Sequence, residues 1–334
     1  RIAKLQELLA RIEPIPADWV GGRTEAAVKS GNPRLDSLEC VTWKTLRNSW
    51  RKAYHWNDDL DRCLSICLAT ILSTKAVGDP LWIKLVGPPS SLKSVMCEAY
   101  SVAKDYIEAR SSIRGIHSGY KSDNKGEEDH SLVERIRGKT LVIKDGDTLL
   151  QSPNLGQILS ELRDLYDRTS RPYYRNGVVR QYEGVLFTLI LAGTEALRVL
   201  DSTELGERFL DVVICLGMEA GQEREIGWQV VNQAFSEMDY EADGAMHTQE
   251  TPEAQEAKRL TGGYVAYLRT NANRLLKEIE VSDAVKHEVQ VLAEFTSFMR
   301  TRPSKRQEEA AQRELSFRLT KQLGRLTKSL AVVL

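Results

Sequence analysis

The chain has 334 residues, a formal net charge of −1 and 42% hydrophobic residues, so it is long enough for a sizeable α/β core plus a smaller domain. It lacks a run of about eighteen apolar residues and a signal-peptide pattern, which excludes a membrane-spanning helix and points to the cytoplasm. Its five cysteines are scattered without a Cys-x-x-Cys pair or a histidine cluster, which argues against zinc, and Cys63 and Cys67 lie one helical turn apart in an apolar stretch that reads as core. Near-neutral charge leaves nucleic-acid binding open, since a local basic stripe suffices. The chain begins at Arg1 without a methionine, which predicts a trimmed start, and ends at Leu334 inside a helical pattern, which predicts a continuation.

Residues 1–13 (RIAKLQELLARIE) carry apolar positions at helical spacing, and Pro14, Pro16, Gly21, Gly22, Gly31 and Pro33 then break the chain, giving a helical arm and connector over 1–41. Helices are predicted from Thr42 to Tyr54 and from Asn57 to Thr74, the second capped by Asn57 or Asp58. Leu81–Val86 reads as a strand ending directly at Gly87, and from Ser91 the pattern turns helical through Ala109. A second strand is expected within Ser111–Tyr120, a surface loop over Lys121–Asp129, and a short strand over Thr140–Lys144. Leu155–Arg168 is a helix with Leu155, Ile158, Leu159, Leu162 and Leu165 on one face. Asn176-Gly177 within Arg171–Glu183 is a hairpin signal. Val185–Leu191 and Phe209–Leu216 are continuous apolar strands. Buried runs separated by helices indicate a parallel α/β sheet over 42–221. Beyond Gly221 the strands cease: helices are expected over 223–237, 253–278, 283–300 and 304–334, with an acidic mobile loop over 238–251.

The stretch Gly87, Pro88, Pro89, Ser90, Ser91, Leu92, Lys93, Ser94, Val95 is a phosphate-binding loop with one departure. The Walker A pattern is Gly, four residues, Gly, Lys, then Ser or Thr, and Leu92 stands where the second glycine belongs. A strand, a loop and a helix N-terminus in this order aim backbone amides at one spot that attracts phosphate. Lys93 is the residue to reach the β- and γ-phosphates and Ser94 the one to ligate magnesium. Position 92 calls for a positive φ, which costs a residue with a side chain on the order of 1 kcal/mol.

Leu141-Val-Ile-Lys-Asp-Gly-Asp147 follows as an acidic strand end. A Walker B motif ends in Asp-Glu, one acid for magnesium and one for the attacking water. Two registers are open here: Asp145 is the magnesium-side acid with Gly146 in place of the base, or Lys144 replaces the first acid and Asp145 takes the base position. In either, Asp145 is the expected essential carboxylate, with Asp147 a supporting acid or a turn residue.

The order of these features resembles that of the AAA+ ATPases, and within them the branch with an extra hairpin before the sensor strand, which holds the minichromosome-maintenance helicases and the primase-helicases of mobile elements. The likeness runs from about Trp43 to the end. It implies a parallel-sheet P-loop core over 42–221, a helical lid domain over 222–334, and ATP and Mg2+ as ligands. It also implies that Thr194, in Leu191-Ala-Gly-Thr194, senses the γ-phosphate. Arg208, in Leu205-Gly-Glu-Arg-Phe209, matches the arginine finger that acts on a neighbour's nucleotide, which implies a homo-oligomeric, hexameric ring. Arg318, in Ser316-Phe-Arg-Leu, matches the lid's second sensor, with Arg325 as competitor. The hairpin, with Arg171, Arg175, Arg180, Tyr173 and Tyr174 around its tip, is the element that grips DNA in the related helicases, by phosphate contact and base stacking. The expectation is therefore an ATPase that moves or remodels DNA or RNA. The imperfect acidic motif supports an alternative, an ATP-gated ring with slow turnover that recruits an effector protein, in a mobile-element or antiviral-defence setting. A small-molecule kinase has no use for the long lid or for Arg208.

Overall fold

The computed structural model describes residues 40–76, 78–113, 115–117, 131–173, 180–202, 205, 208–215, 250–300 and 316–334, with isolated positions between 221 and 231. The arm over 1–39, the loop over 121–129, the hairpin tip, most of the 223–251 region and residues 304–315 lie outside them.

Two helices open the described chain, α1 (Trp43–Ala53) and α2 (Asp58–Ser73). The Thr42 hydroxyl accepts the Thr45 amide and the Asn57 side chain accepts the Leu60 amide, so each start satisfies a donor the helix itself cannot. Strand β1 (Trp82–Val86) leads into α3 (Lys93–Ser101), then β2 (Ile107–Arg110), the short α4 (Leu132–Ile136), β3 (Thr140–Ile143), the single turn α5 (Asp147–Leu150) and α6 (Leu155–Tyr166). A small antiparallel pair, β4 (Thr169–Ser170) with β5 (Tyr182–Glu183), precedes β6 (Thr188–Gly193), a 3-10 segment (Glu195–Ser202) and β7 (Phe209–Val213). Three long helices follow, α7 (Pro252–Glu278), α8 (Asp283–Arg300) and α9 (Phe317–Val333).

Three sequence expectations are corrected. The helix after the phosphate loop stops at Ser101 instead of Ala109, because Ile107–Arg110 is itself the second strand, paired in parallel with β3 from Ile107↔Thr140 to Arg110↔Ile143. The described residues between Ser111 and His117 therefore form no strand. The strand expected from Val185 begins at Thr188: Val185 and Phe187 are buried but fill the space beneath the sheet before pairing starts.

The five strands run parallel in the order β2-β3-β6-β1-β7. Side chains alternate between two apolar clusters, as a period of two requires. Ile83, Leu85, Val142, Ile190, Ala192, Leu210 and Val212 face α1, α2, α3, α7 and α9, whereas Trp82, Val86, Leu141, Ile143, Leu189, Leu191 and Phe209 face α6 and its neighbours. The C-terminal helices thus share one core with the helices around β1. Among the described residues no helix is long and apolar enough to cross a membrane.

Polar contacts fix α7 in place. Trp50 Nε1 donates to Thr261 Oγ1 at 3.0 Å, and Lys258 meets Glu98 of α3 at 2.9 Å. A Cβ on Gly262 would fall 2.5 Å from Val102 Cγ1, so glycine there lets α7 touch the end of α3. Arg269 is buried, donates to Ile71 O at 3.0 Å and Gly138 O at 2.6 Å, and lies 5.4 Å over the Tyr106 ring. Burial pushes its guanidinium down to about 10. Beside it Thr74, Thr140 and Thr188 close a buried ring of hydroxyls at 2.7 to 3.2 Å. Replacing Arg269 with alanine removes both of its hydrogen bonds and its packing on the Tyr106 ring and leaves a void in the core. A destabilisation of about 2–3 kcal/mol is expected in urea unfolding, against under about 0.5 kcal/mol for Arg274→Ala, whose ion pair with Glu278 is exposed.

Candidate functional site

Because every strand of the main sheet is parallel, their C-terminal ends share one edge, where α/β sheets bind ligands. β1 lies between β6 and β7 and passes at Val86 into Gly87, whose amide donates to Gly193 O at 3.2 Å. A Cβ on Gly87 would stand 3.0 Å from both Ile214 Cβ and Ser91 Oγ, so the loop enters between two walls. Ser90 (φ 61°) and Leu92 (φ 63°) are both left-handed. Left-handed residues of this kind turn successive backbone N–H groups toward a common concavity. The amides of Ser90 through Val95 have no acceptor among the described residues; the first helical bond of α3 is Met96 N to Leu92 O, and Leu92 offers no side-chain cap.

Leu92 adopts the glycine-like conformation the pattern asks for, at the expected backbone cost. The gain that offsets it is packing: its half-buried side chain lies against the α1–α3 core cluster. Lys93 is buried, and its Nζ donates to Gly87 O at 2.8 Å, Pro88 O at 2.5 Å and Ser91 Oγ at 3.0 Å. Among the described residues no carboxylate lies within ion-pair distance of it. Burial lowers its pKa from the usual lysine value, partly opposed by the negative charge of Asp147. Ser94 is exposed at the second position of α3.

At the end of β3 the three candidate residues diverge. Lys144 lies on the α3 side and meets Glu98 Oε1 at 3.4 Å; burial raises the Glu98 pKa, but Lys258 and Lys144 outweigh it and hold the carboxyl below its usual range. Asp145 is exposed, its amide donating to Ser111 O on the β2 side, and its carboxylate has no partner among the described residues. The Gly146 amide turns the other way, to Ala192 O of β6 at 2.7 Å. Asp147 then accepts the Thr194 amide at 2.9 and 3.1 Å and the Thr194 hydroxyl at 3.1 Å. Since β6 separates β1 from β3, Thr194 at its tip stands between the loop and this acidic turn. Lys93, Asp147 and Thr194 are thus the charged and polar groups gathered at this edge.

Arg208 and Arg318 belong to the opposite edge. Trp82 opens β1, pairs with Phe209 and meets the Tyr166 ring edge-on at 4.9 Å. Arg208 is 9% exposed, lies 5.3 Å over that Tyr166 ring, and donates to Leu205 O at 3.1 Å and Asp167 Oδ2 at 3.3 Å. Arg318 lies 5.9 Å over the same ring, and Gln322 bridges the Tyr166 hydroxyl and Arg208 O. Arg325 is packed against Gly78, where burial lowers its pKa against the pull of Asp79. The length of β1, about 13 Å, separates this cluster from Lys93 of the same chain.

The hairpin stem is present as β4 and β5. Tyr173 is 77% exposed, Arg171 is exposed and meets Glu183 at 3.4 Å, and the Arg180 amide donates to Pro172 O. Arg175, Tyr174 and Asn176-Gly177 lie outside the described residues. The motifs of the sequence pass over His117, which ties the stem to the core: its Nε2 lies 2.9 Å from Ser170 Oγ, its Nδ1 3.1 Å from Glu161, and its ring 5.4 Å from Tyr182. No local signal marks it, because its partners lie 44 to 65 residues away along the chain.

Among the described residues no group of three or more His, Cys, Asp or Glu could hold a metal by itself. Mg2+ typically binds through one or two carboxylates, substrate phosphates and water, and the exposed Asp145 and Ser94 at this edge are oxygen donors of that kind. The Lys93 ammonium, hydrogen-bonded to neutral oxygens with no carboxylate beside it among the described residues, and the open amides make a positively polarised, anion-compatible edge.

No family model matches this chain, and no curated protein matches it in sequence.

Changing the Leu92 side chain in two ways separates strain from packing. Leu92→Gly relieves the left-handed strain while giving up the packing on the core, and its stability is expected within about 1 kcal/mol of the parent. Leu92→Ala keeps the strain and gives up most of the same packing, so it should be the less stable of the two in denaturant unfolding.

Proposed function

We propose that this protein is a P-loop ATPase of the AAA+ type that assembles into a ring and acts on nucleic acid. The observation that carries the reading is the buried Lys93 ammonium, without a carboxylate among the described residues, at the mouth of a loop whose amides from Ser90 to Val95 are open. A triphosphate displaces the loop carbonyls from Lys93 and fills the amides. Mg2+, held through Ser94 and Asp145, neutralises phosphate charge when bound. Thr194 lies beside the terminal phosphate, and Asp145, exposed, is free to orient water. Arg208 and Arg318 lie a strand's length from Lys93 on the opposite edge, so a nucleotide they serve is a neighbour's, and the buried Arg208 must leave Tyr166 and Asp167 to reach it. The hairpin immediately before β6, with exposed Arg171 and Tyr173, agrees with the pre-sensor hairpin of the resembling branch and supplies the nucleic-acid contact.

One observation favours slow turnover, the switch-like alternative that recruits an effector. Of the two charged residues that flank Asp145 in the acidic motif, Lys144 is drawn off to Glu98, and Asp147 is engaged by Thr194.

Lys93→Ala is expected to weaken ATP binding at least tenfold, measured by equilibrium titration; unchanged affinity rejects the loop assignment. Arg208→Ala should leave ATP binding intact and abolish turnover. Mixing Lys93→Ala with Arg208→Ala chains should restore part of the turnover, since each supplies what the other lacks across an interface. No restoration in mixed assemblies would remove the intersubunit role. Nucleic-acid binding is tested apart from this: Arg171→Ala with Arg180→Ala should lower single-stranded DNA affinity and reduce its salt slope by about one for each phosphate no longer neutralised. An unchanged slope rejects the hairpin as the binding element.

A further inference from the structure

Thr194 has a single hydroxyl proton, and its use is fixed. The hydroxyl donates to Asp147 Oδ1 at 3.1 Å, while its oxygen accepts the Ala196 amide at 3.3 Å. The Thr194 amide is also spent on the same carboxylate, at 2.9 and 3.1 Å. The surroundings are built for this contact. A Cβ on Gly193 would fall 2.9 Å from Asp147 Oδ1, and a Cβ on Gly146 2.7 Å from Leu191 Cδ1, so two glycines make room for the acidic turn to close onto the tip of β6. An ionised phosphate oxygen is an acceptor, as the carboxylate is, so the two compete for one proton.

We propose that Asp147 is a specificity-determining residue that withholds the Thr194 hydroxyl, and so sets how strongly the site distinguishes a nucleoside triphosphate from a diphosphate. The proposal rests on the phosphate-loop reading above. Only a ligand long enough to reach Thr194 gains from a freed hydroxyl; a diphosphate held by Lys93 and the loop amides does not. Asp147 acts through Thr194, and its negative charge also disfavours anions at Lys93, a triphosphate somewhat more than a diphosphate because it carries one more charge.

The two effects separate in a double-mutant cycle on the full chain, titrated with ADP and with a non-hydrolysable ATP analogue. Asp147→Ala is expected to tighten both ligands by removing charge, and in addition to raise the analogue-to-ADP preference roughly tenfold, the worth of one hydrogen bond to a charged group. Thr194→Val has no hydroxyl proton to give, so Asp147→Ala with Thr194→Val should keep the contributions of charge and of the Thr194 amide and lose the hydroxyl's share of the gain in preference. Should Asp147→Ala fold poorly, Asp147→Asn carries the test: its amide oxygen still accepts from Thr194 but more weakly, giving a smaller rise that Thr194→Val again reduces. An unchanged preference in the Asp147 variants, or a rise that Thr194→Val leaves undiminished, overturns the proposal while leaving the loop assignment standing. A parent protein that binds neither ligand overturns both.

Discussion

A buried cation with no carboxylate partner among the described residues organises this molecule. Desolvating an ammonium is costly, and the usual remedy in a protein interior is an acid at ion-pair distance. Lys93 is surrounded instead by Gly87 O, Pro88 O and Ser91 Oγ, neutral oxygens that its own loop supplies. That cage exists because β1 is clamped between β6 and β7, because Gly87 fits between Ile214 and Ser91, and because Ser90 and Leu92 accept left-handed backbone. The sheet order, the loop conformation and the start of α3 converge on holding a positive charge at the C-terminal edge of the sheet.

The opposite edge solves a different problem with similar parts. There the Tyr166 ring carries Arg208 and Arg318, Asp167 adds an ion pair, and Gln322 links ring and backbone. The aromatic contact of Tyr166 with Trp82 joins this cluster to the start of β1, the strand whose far end holds the phosphate loop. One strand therefore couples both edges: the loop at one end and the arginine pair at the other are fixed to the same β1.

Much of this is legible in the sequence, where local chemistry decides the outcome. Asn57 is a cap because its short side chain reaches the Leu60 amide, and Leu92 can be read as left-handed from the glycine it replaces. Period-two burial cannot be read for Ile107–Arg110, a strand of four residues placed where a helical pattern continues through it. Val185 and Phe187 are as apolar as the strand that follows, so composition does not show where pairing starts. The acidic turn is opaque for a further reason. Asp145 fits the motif, but the approach of Gly146 to Ala192 turns the chain so that Asp147 is the carboxylate meeting Thr194, a contact across 47 residues. The same distance in sequence hides His117 and Arg269, whose partners are backbone and side-chain groups gathered only by the fold.

The close approach of Gly262 to Val102 has a mechanical consequence. Helix α7 has 27 residues, about 40 Å of stiff rod, and it is bolted to the phosphate-loop helix by this contact and by Lys258 on Glu98. A rod pinned to α3 cannot stay still when α3 shifts. Farther along the rod, Arg269 is tied to Ile71 O and Gly138 O, so α3, α7 and the helices beside the sheet are coupled as one stiff body.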